Sequence, residues 1–249
     1  MRRAALIAAP WALILVFWYG IRNSGLVNPA LVPSPHAVVQ QFVDLAQTRL
    51  PMDIFTSTRR VLVGVLLGIT CAVPVGFILG WYKGARTFVD PPINFFRALP
   101  PIALIPLVIV YFGVDELAKT VVLFYSAFFA GVIVMYEGIA QINPIYIRVS
   151  RTLGATDSEI FRKVVVPLAL PHILTALRVA LGVAWATLVA SELIAAQQGL
   201  GALIQNASSF FQLDVVYVGI ICIGLIALFM DLALRSLTHR LLAWQERIA

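Results

Sequence analysis

The feature that most constrains this chain is a series of long apolar runs without a charged residue. Five such runs occupy residues 4–21, 61–82, 98–114, 120–136 and 215–230, and a sixth at 164–191 contains a single charge, Arg178. A helix needs about 20 residues to cross the hydrocarbon core of a bilayer. Charged residues make up only 12% of the chain, about half the share usual in soluble domains. The sequence therefore predicts a membrane protein and excludes a soluble globular domain.

We predict an all-α membrane protein in which residues 1–249 form a single transmembrane domain. The six predicted spans are 4–21, 59–82, 94–113, 118–138, 168–195 and 215–236. Prolines at 100, 101 and 106 predict a bent or broken third span, because a proline inside a helix removes a backbone hydrogen bond. The second span carries glycines at small-xxx-small spacing, which allows close helix approach in lipid. These glycines are Gly64, Gly68, Gly76 and Gly80.

The basic residues orient these spans, because cytoplasmic loops are enriched in Lys and Arg. With a cytoplasmic N-terminus, the inside receives 13 of the 18 basic residues. The five on the outside are Arg22, Arg49, Arg59, Arg60 and Lys119, of which Arg59 and Arg60 fit least well. We therefore expect both termini in the cytoplasm. The formal net charge of +6 then reflects topology and lipid head groups, so it does not indicate a nucleic-acid partner.

A short polar segment, residues 143–167, separates the fourth and fifth spans. The Asn-Pro pair at 143–144 predicts an N-cap followed by proline at the first helical position. Gly154 predicts a left-handed helix end, and the Thr-x-x-Glu box at 156–159 predicts the start of a second helix. That helix is expected to stop before Pro167. We call this the hinged segment: two small amphipathic helices joined at Gly154, a shape suited to being gripped by another protein.

Both halves of the hinged segment combine an apolar face with charged side chains. The apolar residues at helical spacing are Ile145, Val149 and Leu153 in the first half and Ile160, Phe161, Val164 and Val165 in the second. The charged residues are Arg148, Arg151, Asp157, Glu159, Arg162 and Lys163. Charges around an apolar face fix the register of a partner protein.

No catalytic or nucleotide-binding set is visible in the sequence. The three histidines, His36, His172 and His239, are far apart, and neither an HExxH metal motif nor a GxxxxGK[ST] phosphate loop occurs. We therefore expect that the chain is not an enzyme and binds no metal or cofactor. Any nucleotide chemistry must belong to a partner.

Four residues of the fifth span are candidates to line a substrate path: Glu192, Trp185, Thr187 and Arg178. A charge inside hydrocarbon is costly, so a functional role is the first hypothesis for any that is truly intramembrane. The structural alternative is that the charged side chains extend to the interface and that Trp185 and Thr187 pack against a neighbouring helix. Glu192 and Arg178 are 14 residues apart, roughly 21 Å along a helix, so they cannot pair within one chain.

The hinged segment resembles the signature of permease subunits of bacterial ATP-binding-cassette (ABC) importers. That signature is Glu-Ala-Ala, three residues, Gly, nine residues and Ile-x-Leu-Pro. Here the corresponding positions are 148–150, Gly154 and 164–167. The Glu-Ala-Ala letters are absent, while the spacing, the Gly-Ala pair and the final proline are kept.

Further segments resemble the sulfonate/nitrate/taurine branch of this family, and within it the taurine permeases. They are residues 31–35, 153–156, 166–171, 177–185, 189–196, 199–201 and 214–216, so the resemblance covers nearly the whole chain.

The resemblance implies a type I ABC importer permease fold with the hinged segment as a cytoplasmic coupling helix between spans four and five. It implies a bacterial inner membrane location, a homodimer of this subunit, two cytoplasmic ATP-binding subunits that bind ATP and Mg, and a periplasmic substrate-binding protein. The expected cargo is a small organosulfonate, taurine in particular. The residues expected to contact the ATPase are Arg148, Arg151, Leu153, Gly154, Ala155, Thr156, Asp157, Glu159, Ile160 and Pro167.

Two alternatives stay open. A permease for nitrate, bicarbonate or alkanesulfonates in the same branch would carry the same motifs. A secondary transporter driven by protons or sodium would be a different class, and it should show an intramembrane carboxylate or paired interrupted helices. The single broken span and the peripheral position of the carboxylates argue against the second alternative.

Overall fold

The structure is a computed structural model that describes residues 2–25, 28 and 31–243. Within these residues the chain consists of helices and short connections, which confirms the predicted all-α fold. The helices are α1 (Arg2–Asn23), α2 (Pro35–Ala46), α3 (Leu50–Trp81), α4 (Lys83–Ala98), α5 (Pro101–Phe112), α6 (Glu116–Ala140), α7 (Pro144–Thr152), α8 (Asp157–Ile160), α9 (Val166–Ala195), α10 (Leu200–Ser209) and α11 (Leu213–Leu241). A π-helical turn, Phe161–Val165, joins α8 to α9.

Four helices in the described part of the chain are long and apolar enough to cross a membrane: α3, α6, the continuous helix Asp157–Ile194 and α11. A fifth candidate is the pair formed by α4 and α5, whose axes differ by 90°. The break lies where the prolines of the third span predicted it. With 12 residues, α5 is only about 18 Å long. The count of six spans is not confirmed, and a membrane-spanning α1 stays a prediction.

Three long helices form the centre of the fold, with α6 packed between α3 and α9. The contact between α3 and α6 follows the glycine positions of the second span. A Cβ atom built on Gly64 would lie 2.4 Å from the Leu123 Cβ, and one on Gly76 would lie 2.3 Å from the Met135 Cβ. Real Cβ atoms do not approach this closely, so only glycine permits this helix separation. The predicted close approach is confirmed.

Gly68→Leu is expected to destabilise the contact between α3 and α6. A Cβ at Gly68 would lie 2.6 Å from the Ala127 Cβ and 2.9 Å from the Phe128 backbone nitrogen, so backbone would have to move. Overpacking of this kind costs about 1–3 kcal/mol or more. The matched control is Gly224→Leu, since a Cβ at Gly224 meets no described atom within 4 Å. The melting temperature in detergent should fall for the first variant only, and equal values would contradict the close contact.

A second group of apolar residues surrounds α10, which follows the fifth span. Leu200 and Leu203 are buried there against Val218 of α11 and Val38 of α2. The start of α3 belongs to the same group through Leu50. This packing holds the connection after α9 firmly at one end of the protein, opposite to the hinged segment.

The expectation that the second short helix stops before Pro167 is wrong. The chain continues from α8 through the π-helical turn into α9, and Asp157–Ile194 forms one helix of 38 residues. Proline lacks the N–H that an α-helix would require at this position. The wider turn, in which the Val166 N–H donates to the Phe161 carbonyl, shifts the hydrogen-bond register just before the proline. The hinged segment is therefore continuous with a membrane helix.

Candidate functional site

The hinge of the hinged segment has the backbone geometry that its glycine predicts. Gly154 has φ +83°, in the left-handed region. Its N–H donates to the Arg151 carbonyl over 3.0 Å, and the Ala155 N–H donates to the Ser150 carbonyl over 3.0 Å. This pair of bonds is the Schellman arrangement that ends a helix and satisfies its last carbonyls. The predicted helix end at Gly154 is confirmed.

Both helices of the hinged segment are capped as predicted. The Asn143 Oδ1 atom accepts the Ile145 N–H over 3.0 Å at the start of α7. The Thr156 Oγ1 atom accepts the Glu159 N–H over 3.4 Å, and the Glu159 carboxylate accepts the Thr156 N–H over 3.1 Å. These reciprocal bonds form a capping box. The backbone on both sides of Gly154 is therefore fixed by local bonds alone.

An ion pair closes the hinge across Gly154. The Arg151 Nη2 atom lies 3.1 Å from the Asp157 Oδ1 atom and so joins α7 to α8. Both side chains are exposed, at 60% and 73%, and an exposed pair contributes little stability. Arg148 is exposed on the same helix as Arg151. These charged groups are thus accessible to another molecule.

The two apolar faces of the hinged segment differ in burial. On the α7 side this face is exposed: Ile145 and Val149 are 50% accessible, and Leu153, which follows α7, is 81% accessible. On the α8 side Ile160 is completely buried. Phe161 contacts Phe77 and Trp81 of α3 edge to face. The second face anchors the segment to the protein, whereas the first is available to a partner.

Glu192 lies near the other end of α9 and is fully buried. Its carboxylate accepts the Ser57 hydroxyl over 2.9 Å, an Arg60 Nη1 hydrogen over 2.6 Å and the Gly201 N–H over 2.8 Å. A buried carboxylate requires this number of donors to offset the loss of hydration. A Cβ on Gly199 would lie 2.5 Å from a Glu192 carboxylate oxygen, so the backbone closes directly over the charge.

Arg60 connects Glu192 to a second carboxylate. Its side chain is only 3% exposed, and it bonds through Nε and Nη2 to Glu116 at the start of α6. Its Nη1 atom also donates to the Gln198 carbonyl over 2.7 Å. Lys119 lies 3.3 Å from Glu116, and Arg59 lies 3.7 Å from it. The cluster of Arg60, Glu192 and Glu116 therefore ties α3, α6 and α9 together.

The other three candidates for the substrate path, Arg178, Trp185 and Thr187, do not form a common site. Arg178 pairs with Asp231 of α11 over 2.6 Å, and its side chain is 46% exposed. Thr187 is buried, and its hydroxyl donates to the Val183 carbonyl over 2.9 Å. Trp185 is also buried, and its indole N–H finds no acceptor in the described part of the chain. None of these contacts tests a role in transport, so all four assignments stay predictions.

The partners of Glu192 were not predicted from the sequence, although a signal for them was present. Arg59 and Arg60 fit poorly on the outer side, and Glu192 had no visible counter-charge. A buried carboxylate and two misplaced arginines predict each other, because an unpaired charge in a membrane is costly. Ser57 carried no comparable signal, since isolated serines in a long helix are common. As for metals, the described residues contain no group of three or more His, Cys, Asp or Glu side chains placed to hold one.

Comparison with known proteins agrees with this architecture. Residues 64–243 match the family described as binding-protein-dependent transport system inner membrane component. The MetNI methionine ABC transporter in an inward facing conformation superimposes with a TM-score of 0.68, covering 77% of this chain and 95% of that chain at 21% identity. That likeness supports the type I fold alone.

Sequence relatives extend along nearly the whole chain. A probable ABC transporter permease protein of Brucella abortus (strain 2308) is 44% identical over 92% of this chain and 91% of its own length. The taurine transport system permease protein TauC of Escherichia coli (strain K12) is 35% identical over 99% of this chain and 92% of its own. A relative named for aliphatic sulfonate transport in Bacillus subtilis (strain 168) is 32% identical over 94% and 86%. The resemblance found in the sequence is confirmed, and this chain belongs to the inner membrane components of binding-protein-dependent transport systems, as an ABC transporter permease of the taurine and sulfonate branch.

Proposed function

We propose that this protein is the transmembrane subunit of an ATP-driven importer and that two copies of it enclose the translocation path. The observation that carries the proposal is the hinged segment: a doubly capped, exposed element that continues into a helix of 38 residues. That helix is roughly 55 Å long, so a rigid displacement of the hinged segment reaches the cluster around Glu192. Family membership also sets aside the ion-coupled secondary transporter.

In this proposal each of two cytoplasmic ATPase subunits holds one hinged segment. Leu153 and its exposed neighbours on α7 enter a groove of the ATPase, while Arg148 and Arg151 fix the register. ATP and Mg are bound by the ATPase. Closure of the ATPases on ATP moves the two segments together and changes which side of the membrane the path faces. A periplasmic binding protein delivers the cargo to a chain whose two termini are cytoplasmic.

Leu153→Asp is expected to weaken assembly with the ATPase. Truncation of a central apolar anchor costs at least about 2 kcal/mol, which is roughly 30-fold in affinity, and a charge adds to the loss. Phe211→Asp is the matched control, because Phe211 is 84% exposed but lies after α10, at the opposite end. Co-purification of the tagged permease with the ATPase measures both variants. Equal recovery of the ATPase would contradict docking through α7.

The path itself is assigned to the exposed side of α9. Thr175, Gly182 and Ala186 share this side with Arg178, as do Val179 and Val183. A guanidinium and a hydroxyl do not suit a face turned toward lipid. They suit a water-filled path or a second copy of the chain. Arg178 and Asp231 are then the charged groups that a cargo contacts inside the membrane. Trp185, Thr187 and Glu192, on the same helix as Arg178, are the further path positions.

The proposed cargo is a small organosulfonate, taurine in particular. This choice rests on the relatives named for taurine and for aliphatic sulfonates, each above 30% identity over more than 90% of this chain. Permeases for nitrate, bicarbonate or alkanesulfonates are the alternatives in the same branch. The test is ATP-dependent uptake of labelled taurine by proteoliposomes that contain the permease, its ATPase and its binding protein. ATP-dependent uptake of labelled nitrate, bicarbonate or an alkanesulfonate without uptake of labelled taurine would refute the assignment.

A further inference from the structure

A polar cavity of about 350 Å³ lies at the end of the protein opposite to the hinged segment. Its size falls within the roughly 300–1,000 Å³ of small-molecule sites. The walls come from three separate parts of the chain: Arg60 of α3, the connection after α9, and the turn into α6. The lining residues are Arg60, Val114, Asp115, Glu116, Lys119, Gln197 and Gln198.

Two buried cations face this cavity. The side chains of Arg60 and Lys119 are only 3% and 7% exposed. The Lys119 ammonium donates to the Val114 carbonyl and to Glu116, both over 3.3 Å. These bonds are longer than the roughly 2.7–2.9 Å of a strong charge-assisted bond. An ammonium has three donors, and the third has no acceptor among the described residues. Lys119 can therefore serve an anionic ligand.

The first turn of α6 adds to the positive side of the cavity. Asp115 is the N-cap residue, but its side chain accepts no hydrogen bond from the turn. The N–H groups at a helix start point outward and carry a partial positive charge. Lys119 projects from the second turn of the same helix. Together they form one cationic wall.

The cavity also contains carboxylates. Glu116 is half-exposed and is shared among Arg60, Lys119 and Arg59. Asp115 is exposed and makes no ion pair with any other residue in the described ranges. These carboxylates would repel a simple anion, because they carry the same charge. A ligand with both signs would place its anionic end on Lys119 and its cationic end on Asp115.

We infer that this cavity binds a small amino-sulfonate zwitterion, the chemical class of taurine, before the molecule enters the membrane path. The sulfonate oxygens accept from Lys119 and the start of α6. The ammonium donates to Asp115, while the exposed side chains of Gln197 and Gln198 bond to either end. The inference rests on the proposed function, in which this end of the protein is periplasmic and receives cargo from a binding protein.

The test uses the complete complex of permease and ATPase, purified without binding protein. The probes are taurine and 2-hydroxyethanesulfonate, which keeps the sulfonate and replaces the ammonium with a hydroxyl. Both affinities are measured by saturation-transfer NMR titration on the wild type, Asp115→Asn and Lys119→Met. Asp44→Asn is the matched control, because Asp44 is exposed on α2 at the same end of the protein.

We expect Asp115→Asn to weaken taurine binding about tenfold or more, the effect of losing one charged hydrogen bond. Binding of 2-hydroxyethanesulfonate should not weaken, because the lost carboxylate is a like charge for that anion. Lys119→Met should weaken both probes. Asp44→Asn should change neither. This crossed pattern distinguishes a ligand site from general damage, since a misfolded variant would lose both probes in every case.

Several results would overturn the inference. One is taurine binding that is the same in Asp115→Asn, Asp44→Asn and the wild type. Another is equal affinity of the wild type for both probes, which would indicate a plain anion site. A third is that binding protein added back to the complex associates more weakly with Asp115→Asn while taurine binding is intact, which would make this surface a docking site. If the crossed pattern appears but the reconstituted complex does not transport taurine, the cavity assignment stands and the proposed cargo fails.

Discussion

Gly154→Pro is expected to abolish ATP-driven uptake while the protein still inserts into the membrane. Proline fixes φ near −65°, whereas Gly154 requires φ +83°. Proline also removes the N–H that donates to the Arg151 carbonyl over 3.0 Å. Together these losses amount to about 3 kcal/mol or more at the hinge, roughly a hundredfold fewer molecules with the docked geometry. Uptake into proteoliposomes and co-purification of the ATPase measure the effect.

Three further variants separate backbone strain from other damage. A Cβ at Gly154 would meet no described atom within 4 Å, so within this chain valine or asparagine there acts chiefly through φ. Gly154→Val should reduce uptake by about 5- to 30-fold, since a left-handed residue costs about 1–2 kcal/mol. Gly154→Asn should be nearly normal, because Asn tolerates that conformation. Gly25→Val is the control, since Gly25 has φ +70° with similar space. Normal uptake by Gly154→Pro would refute force transfer through the hinge.

Arg60→Met is expected to be the most destabilising single change at the opposite end. It would leave Glu192 buried without its guanidinium partner. Breaking a buried ion pair in this way costs about 3–5 kcal/mol, or a fall in melting temperature on the order of 10 °C for a chain of this size. Thermal unfolding of the purified protein in detergent measures the loss.

The neighbouring arginine supplies the control. Arg59→Met removes the same charge from a side chain that is 55% exposed and 3.7 Å from Glu116, so a change of about 0–1 kcal/mol is expected. The double variant Arg60→Met with Glu192→Gln should recover part of the stability, because it removes both buried charges. Equal melting temperatures for Arg59→Met and Arg60→Met would show that the ion pair does not hold these helices.

The sequence by itself determined the features that depend on residues close together in the chain. The caps at Asn143 and Thr156 and the helix end at Gly154 each use hydrogen bonds between residues two to five positions apart. Such bonds form in any context that permits a helix, so the residues alone predict them. Apolar runs likewise predict membrane helices, because the cost of placing charges in hydrocarbon leaves few other arrangements.

Only the tertiary structure decided which distant residues meet. Arg60 and Glu192 are 132 positions apart, and their contact depends on the register of α3, α6 and α9, which the close glycine contacts set. The same packing buried the apolar face of α8 and left that of α7 exposed, although the two faces look alike in the sequence. Tertiary packing also explains why the helix continues through Pro167, because contacts of Ile160 and Phe161 with the core hold the π-helical turn in place. Burial and long-range pairing follow from packing geometry, which no local pattern of residues contains.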